Sequence, residues 1–321
     1  MRFLAIIFLA LSIQGCKTFH QPTVYENEVT NSIVRNTKKF GLKLVSLIEA
    51  GKYKQAITLL EEKYKIVKSD ITKEDFFFLE LKHLQFTRRA IASNVSLLQD
   101  THPNNLMSNL ISGYYLSAKA REARGGKWAH LTSESQFNEM IKIQNRAIQY
   151  LLKVLEIDSG NYFAHLELGN IYKTSKGDFY KSQLHFLEAK KIKPNSYWVW
   201  ADYLTSITPR WGGSYPLMSK NINEMAAYIT QNKNLEILKS SIIVDKASLA
   251  EYKGNYSIAI SMYKDALKFG NDHRVLIGLG YSNNQLGNYT EGCKYIRLAV
   301  KQRPFYPRYI TNHIICEKKG M

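Results

Sequence analysis

Gly254-Asn255-Tyr256 returns as Gly287-Asn288-Tyr289, 33 residues further on, and this recurrence narrows the possible folds more than any other feature of the chain. At the same offset Ala266 returns as Ala299 and Tyr263 as Ile296. Leu279-Gly280 precede the second turn and Pro304 closes the unit. A fixed period of this length marks a chain built from stacked units, each too small to bury its own apolar face. A third copy lies in "YFAHLELGNIYKTSKGDFYKSQLHFLEAKKIKP", with Leu168-Gly169 and Tyr172, then Gly177-Asp178-Phe179, then Phe186, Ala189 and Pro194. It carries one extra residue before the turn. A fainter half-copy, "EAGKYKQAITLLEEKY", sets Gly51, Tyr53, Ala56 and Leu60 in the same order.

These residues resemble the tetratricopeptide repeat (TPR), a helix-turn-helix unit of about 34 residues. The resemblance implies Leu-Gly in a first helix, Gly-x-Tyr at the turn, Ala and an aromatic residue in a second helix, then a closing Pro. Small residues at Gly280 and Ala299 let two helices approach closely, and the turn glycine takes a conformation other residues resist. Elsewhere the spacing stays helical. "EDFFFLELKHLQFTRRAIASNVSLLQD" carries apolar residues at helical intervals, although Phe76 to Phe78 blur its face. "NNLMSNLISGYYLSAKAREARGG" is a further helix stopped by two glycines. Ile141, Ile148, Leu152 and Leu155 repeat at helical spacing in a segment that Thr132 or Ser133 can cap. The expected fold is all-α. It is an α-solenoid of TPR-like antiparallel helix pairs over residues 36–321, with two irregular Trp/Gly loops and its clearest repeats at 162–195, 240–272 and 273–306.

The N-terminus reads "MRFLAIIFLALSIQGCKTFH". Its positive start and short apolar run are those of a secretory signal peptide, and the run is too short to span a bilayer. Ile13-Gln14-Gly15-Cys16 resembles the bacterial lipobox, which implies cleavage after residues 1–15 and lipidation of Cys16; an ordinary signal peptide with an incidental cysteine is the alternative. Acyl chains on one cysteine anchor a protein without a spanning helix. Polar residues 16–35 then read as a lipidated tether. Lys17 stands where Asp would favour the inner membrane, so the resemblance implies a lipid-anchored outer-membrane protein facing the periplasm. The formal charge of +17 suits an acidic envelope protein or peptide, anionic head groups or peptidoglycan. A lysine-rich genome accounts for it equally well, and nucleic acid is not an expected partner. Cys293 and Cys316 are the remaining cysteines; the oxidising compartment permits a disulfide, and two free buried thiols are the alternative.

Two segments break the helical rhythm, "AREARGGKWAHLTSESQF" and "SYWVWADYLTSITPRWGGSYPLM". Together, Ala123 to Gly126 with Trp128 and Thr132, and Pro209 to Ser214, resemble an uncharacterised family of TPR-like bacterial proteins; no activity follows from that resemblance. The candidate binding residues are Arg124, Gly125, Gly126, Trp128, Arg210, Trp211, Gly212 and Gly213. Arginine forks suit a carboxylate or phosphate, and the glycine pairs admit close approach. The competing reading is structural: the tryptophans plug gaps between helix pairs, Ser214 caps the next helix, and Trp211 is buried near the Arg124 to Trp128 segment.

No histidine pair has zinc-site spacing, and no C-x-x-C, G-x-S-x-G or Gly-rich phosphate loop is present. Glu134, Glu139, Asp158, Glu167 and Asp178 are each expected at a cap or on a solvated face. The chain is therefore expected to be no enzyme and to hold no metal or cofactor. The leading expectation is an envelope-anchored scaffold for protein interaction or assembly, whose basic, Tyr-rich groove suits an acidic segment. A periplasmic immunity or inhibitor lipoprotein and a cell-wall glycan binder are the alternatives.

Overall fold

The structure, a computed structural model, describes residues 23–86, 91–126, 131–175 and 178–321. All the regular elements among them are helical, so the fold is all-α. The signal peptide and Cys16 lie outside the described residues. In chain order the helices are α1 (Thr23–Phe40), α2 (Leu44–Glu49), α3 (Tyr53–Ser69), α4 (Glu74–Phe86), α5 (Ala92–Thr101), α6 (Leu106–Arg124), α7 (Glu134–Ile157) and α8 (Tyr162–Thr174). They continue as α9 (Phe179–Ile192), α10 (Tyr197–Ser206), α11 (Tyr215–Ala226), α12 (Ser241–Tyr252), α13 (Tyr256–Ala266), α14 (His273–Gln285), α15 (Tyr289–Gln302) and α16 (Pro307–Lys318). Residues expected to form the tether's end are helical from Thr23 onward. Val29 and Ser32 of α1 are buried, and Glu28 meets Lys318 of α16 at 2.7 Å. The polar composition of this stretch hid its packing against α16.

The recurring turns are built alike. Gly51, Gly254 and Gly287 have φ of 68°, 77° and 82°, a left-handed conformation that favours glycine. In each, the following residue reaches back to close the preceding helix: Lys52 N to Leu47 O, Asn255 N to Ala250 O and Asn288 N to Asn283 O, all at 2.9 Å. These short turns make α2 and α3, α12 and α13, and α14 and α15 packed antiparallel neighbours; α6 with α7 and α8 with α9 pair in the same way. Gly280 and Gly169 face Ile296 and Phe186 so closely that an added Cβ would collide with either side chain. Ser133 opens α7 with a reciprocal capping box to Gln136.

One helix departs from the pairing pattern. From Phe77 to Leu84 every residue of α4 is buried, and α4 has no polar face because it is enclosed on all sides. Phe78 meets Tyr114 of α6, Phe163 of α8 and Trp198 of α10, at 6.3, 5.6 and 4.4 Å between ring centres. Phe77 lies 5.3 Å from Tyr64 of α3, and His83 lies 5.5 Å from Phe305, beyond α15. The buried carboxylates of α4 serve other helices. Glu80 accepts from the backbone N–H groups of Lys43 and Leu44 at the start of α2 and from Lys63 Nζ at 2.6 Å. Glu74 bonds Ser196 Oγ at 2.5 Å and Tyr197 N at 2.6 Å, at the start of α10. One apolar core consequently runs from Val29 to Cys316, with a smaller cluster between α12, α13 and α14. Cys293 and Cys316 form a disulfide that ties α15 to α16.

Candidate functional site

The loop after α10 is shaped by its own backbone. Trp211 N and Gly213 N both bond Thr208 O, at 2.9 and 3.1 Å, curling Pro209–Trp211 into a single 3-10 turn. Gly212 then has φ of 86°, and a Cβ on Gly213 would stand 1.9 Å from Ile207 O. Both glycines are therefore required by the turn itself. Ser214 accepts from Leu217 N at 3.2 Å and starts α11. The turn sends its two large side chains apart. Arg210 reaches Asp245 of α12 at 2.6 Å, and Tyr215 OH donates to the same carboxylate at 3.1 Å. Trp211 lies against α8, with Lys173 Nζ 5.5 Å from its ring centre.

Arg210 borders a cavity of about 240 Å³ between α10, α12, α14 and α16. Asp245, Glu251, Arg274 and Arg308 also line it. Its charges are layered. The Arg210 and Arg308 side chains are 48% and 53% exposed, while their partners Asp245 and Glu251 are only 4% and 12% exposed. Arg308 meets Glu251 at 2.7 Å, and Tyr263 OH donates to the other oxygen of Glu251 at 3.1 Å. Burial, followed by the charge of Glu251, pushes the Tyr263 phenol above its ordinary range. Deeper in, Arg274 clamps Asp272 at 2.6 Å. Burial alone would raise Asp272, but the Arg274 guanidinium and its hydrogen bonds hold the carboxyl down at about 2. In the Arg210–Asp245 and Arg308–Glu251 pairs the guanidinium is thus the more exposed group and the carboxylate the buried one.

The first Trp/Gly segment is placed differently. Gly125, with φ of 76°, ends α6, and Gly126 has open space around it. Arg124 lies 5.7 Å over Phe137, and its carbonyl accepts from Gln136 Nε2 at 3.2 Å, so its partners are on α7. Trp128 lies outside the described residues. Trp211 is partly exposed to solvent, and Lys173 of α8 lies over its ring. The expected contact of Trp211 with the Arg124 to Trp128 segment falls on residues that include Trp128, outside the described residues.

Sequence reasoning missed Glu167, which was expected on a solvated face. It is fully buried, and Arg121 meets it at 3.1 Å, Lys82 at 3.8 Å and Gln85 at 3.0 Å, with Ser117 also donating. Burial works to raise this carboxyl, yet Lys82, Arg121 and Ser117 together hold it below the usual range. Its position beside Leu168-Gly169, on the side of α8 that packs inward, was the available signal. His165 faces away from it toward His185, with Nδ1 atoms 3.0 Å apart. Burial and the neighbouring imidazole hold His185 down at about 4. Among the described residues, no group of three or more His, Cys, Asp or Glu side chains is arranged to hold a metal.

No protein-family model matches the chain, and no curated protein matches it.

Proposed function

We propose that this chain is an outer-membrane lipoprotein, lipidated at Cys16 and facing the periplasm, whose body is an α-solenoid of TPR-like helix pairs acting as a scaffold for protein interaction or assembly. The repeated turns at Gly51, Gly254 and Gly287 and the pairing of successive helices support the solenoid reading. The N-terminal sequence supports the anchor, and no described helix is long and apolar enough to cross a membrane. The partner surface in this proposal is the groove bordered by Arg210 and Arg308, between α10, α12, α14 and α16.

The layered charge of that groove carries the functional reading. Asp245 and Glu251 hold the arginine forks from behind, and the Arg210 and Arg308 side chains stay about half exposed. A planar donor fork held in place matches the carboxylates of an acidic peptide segment. The +17 formal charge adds long-range attraction for such a partner. Affinity capture of the lipidated protein from envelope extracts, followed by identification of the co-purifying chains, tests the proposal; an absence of reproducible partners would sink it. Recovery of a toxin would move the reading to a periplasmic immunity or inhibitor lipoprotein. Retention on peptidoglycan that disappears in Trp211→Ala would move it to a cell-wall glycan binder.

A further inference from the structure

Helices α5 and α7 both pack against α6, and a cavity of about 390 Å³ lies among the three. Each helix turns one face toward it, at the three- and four-residue intervals that place side chains in line. Ser112, Tyr115 and Lys119 come from α6, and Val95 and Gln99 from α5. Ile143 and Tyr150, two turns apart, come from α7. The stripe on each helix is short, so the space suits a small molecule better than a docked helix. Its size is usual for small-molecule sites.

The buried part of this lining is Val95, Gln99, Ser112 and Tyr115, and none of the four is charged. Gln99 is fully used. Its Oε1 accepts from Ser108 and Ser112 at 3.1 and 3.2 Å, and its Nε2 donates to Pro103 O and Asn109 Oδ1, both at 3.3 Å. The same network occupies the Ser112 hydroxyl as a donor. Tyr115 stands apart. It is 3% exposed, and its hydroxyl is closed to solvent with no hydrogen-bond partner among the described residues. Buried polar groups are rarely left so, because an unpaired donor keeps its full desolvation cost.

We propose that this cavity binds an uncharged, mainly apolar molecule bearing one acceptor oxygen, such as a ketone or amide carbonyl, which takes the proton of Tyr115 OH. The chemistry of the buried lining sets that class. An ionised ligand would lose its hydration against residues that offer it no counter-charge. A pure hydrocarbon would leave the hydroxyl unpaired. Burial, against the pull of the Lys119 ammonium, pushes the phenol above its ordinary range, so the hydroxyl keeps its proton and donates. The site shares no residue with the groove of Arg210 and Arg308 and stands whether or not that groove takes an acidic peptide.

A matched pair of probes tests this on the full chain. Acetophenone and ethylbenzene have similar size and shape, but only the ketone offers an acceptor. Ligand-observed NMR titration should show saturable acetophenone binding to the wild type at millimolar concentration. Tyr115→Phe should weaken acetophenone by about fivefold and leave ethylbenzene unchanged or tighter. Ile143→Trp, which fills the space from α7, should abolish binding of both while circular dichroism stays helical. Without ligand, Tyr115→Phe should melt no earlier than the wild type, because it removes an unpaired hydroxyl and keeps the ring. The proposal is overturned by absent saturation with acetophenone, by equal effects of Tyr115→Phe on the two probes, or by binding that survives Ile143→Trp. Earlier melting of Tyr115→Phe also overturns it, since the hydroxyl would then already have a partner.

Discussion

Gly213 and Gly126 each end a Gly-Gly pair beside an arginine, yet the structure gives them different consequences. A Cβ on Gly213 would meet the backbone of Ile207 at 1.9 Å, and backbone cannot turn aside as a side chain can. Gly126 has nothing within 4 Å. Gly213→Ala is therefore expected to lower thermal stability by more than about 3 kcal/mol, and Gly126→Ala by no more than about 0.5 kcal/mol. Similar melting temperatures for the two variants would contradict this. Glu74 offers a test by pH. Desolvation pushes its carboxyl from the ordinary 4.5 up to about 8, against the pull of Ser196 and Tyr197. The folded chain keeps a proton there that the unfolded chain releases above pH 4.5, so this contribution to stability is complete below that pH and lost as pH rises through 8. Glu74→Gln cannot ionise. Urea unfolding should find it gaining on the wild type between pH 5 and pH 9; a constant difference across that range would count against a protonated Glu74.

At the level of elements, the turns were legible in the sequence and α4 was not. Gly254-Asn255-Tyr256 and its copy announce a left-handed turn because few residues other than glycine accept that φ. By contrast "EDFFFLELKHLQF" has no single apolar face. Its blurred pattern is the mark of a helix enclosed on every side, and local spacing alone does not say which helices enclose it. The charge cluster at Glu167 stayed hidden for the same reason, since Lys82, Arg121 and Glu167 come from three helices. The Pro209–Trp211 turn was half legible: its glycines and the Ser214 cap follow from local chemistry, whereas its partners Asp245 and Lys173 come from distant positions. Phe78 joins α4 to three helices, so Phe78→Ala should cost about 3–5 kcal/mol in denaturant unfolding. A cost below about 1 kcal/mol would mean that α4 is not central to the packing. The disulfide joins residues 23 apart and holds α16 against α15. Replacing Cys293 and Cys316 together by serine should cost about 3 kcal/mol, and added reductant should lower the melting temperature of the wild type alone.

Over the whole molecule, the chain closes on itself, with α1 against α16 and α4 at the centre, and leaves the groove of Arg210 and Arg308 facing outward. Under the proposed lipidation of Cys16, that arrangement would hold a basic surface near a membrane. Association through the exposed guanidiniums should weaken as salt rises toward 0.5 M, because the Debye length then falls below about 5 Å. Arg210→Ala with Arg308→Ala removes the outer charge layer and leaves the carboxylates of Asp245 and Glu251 without their cations, so a lower melting temperature is expected of the variant. The most direct measurement is quantitative capture from envelope extracts with the wild type and with this double variant, after confirming by circular dichroism that both are folded at the assay temperature. At least one acidic protein should co-purify reproducibly with the wild type and fall by about tenfold or more with the variant. Equal recovery of the same chains with both proteins would show that the groove is not where the partner binds.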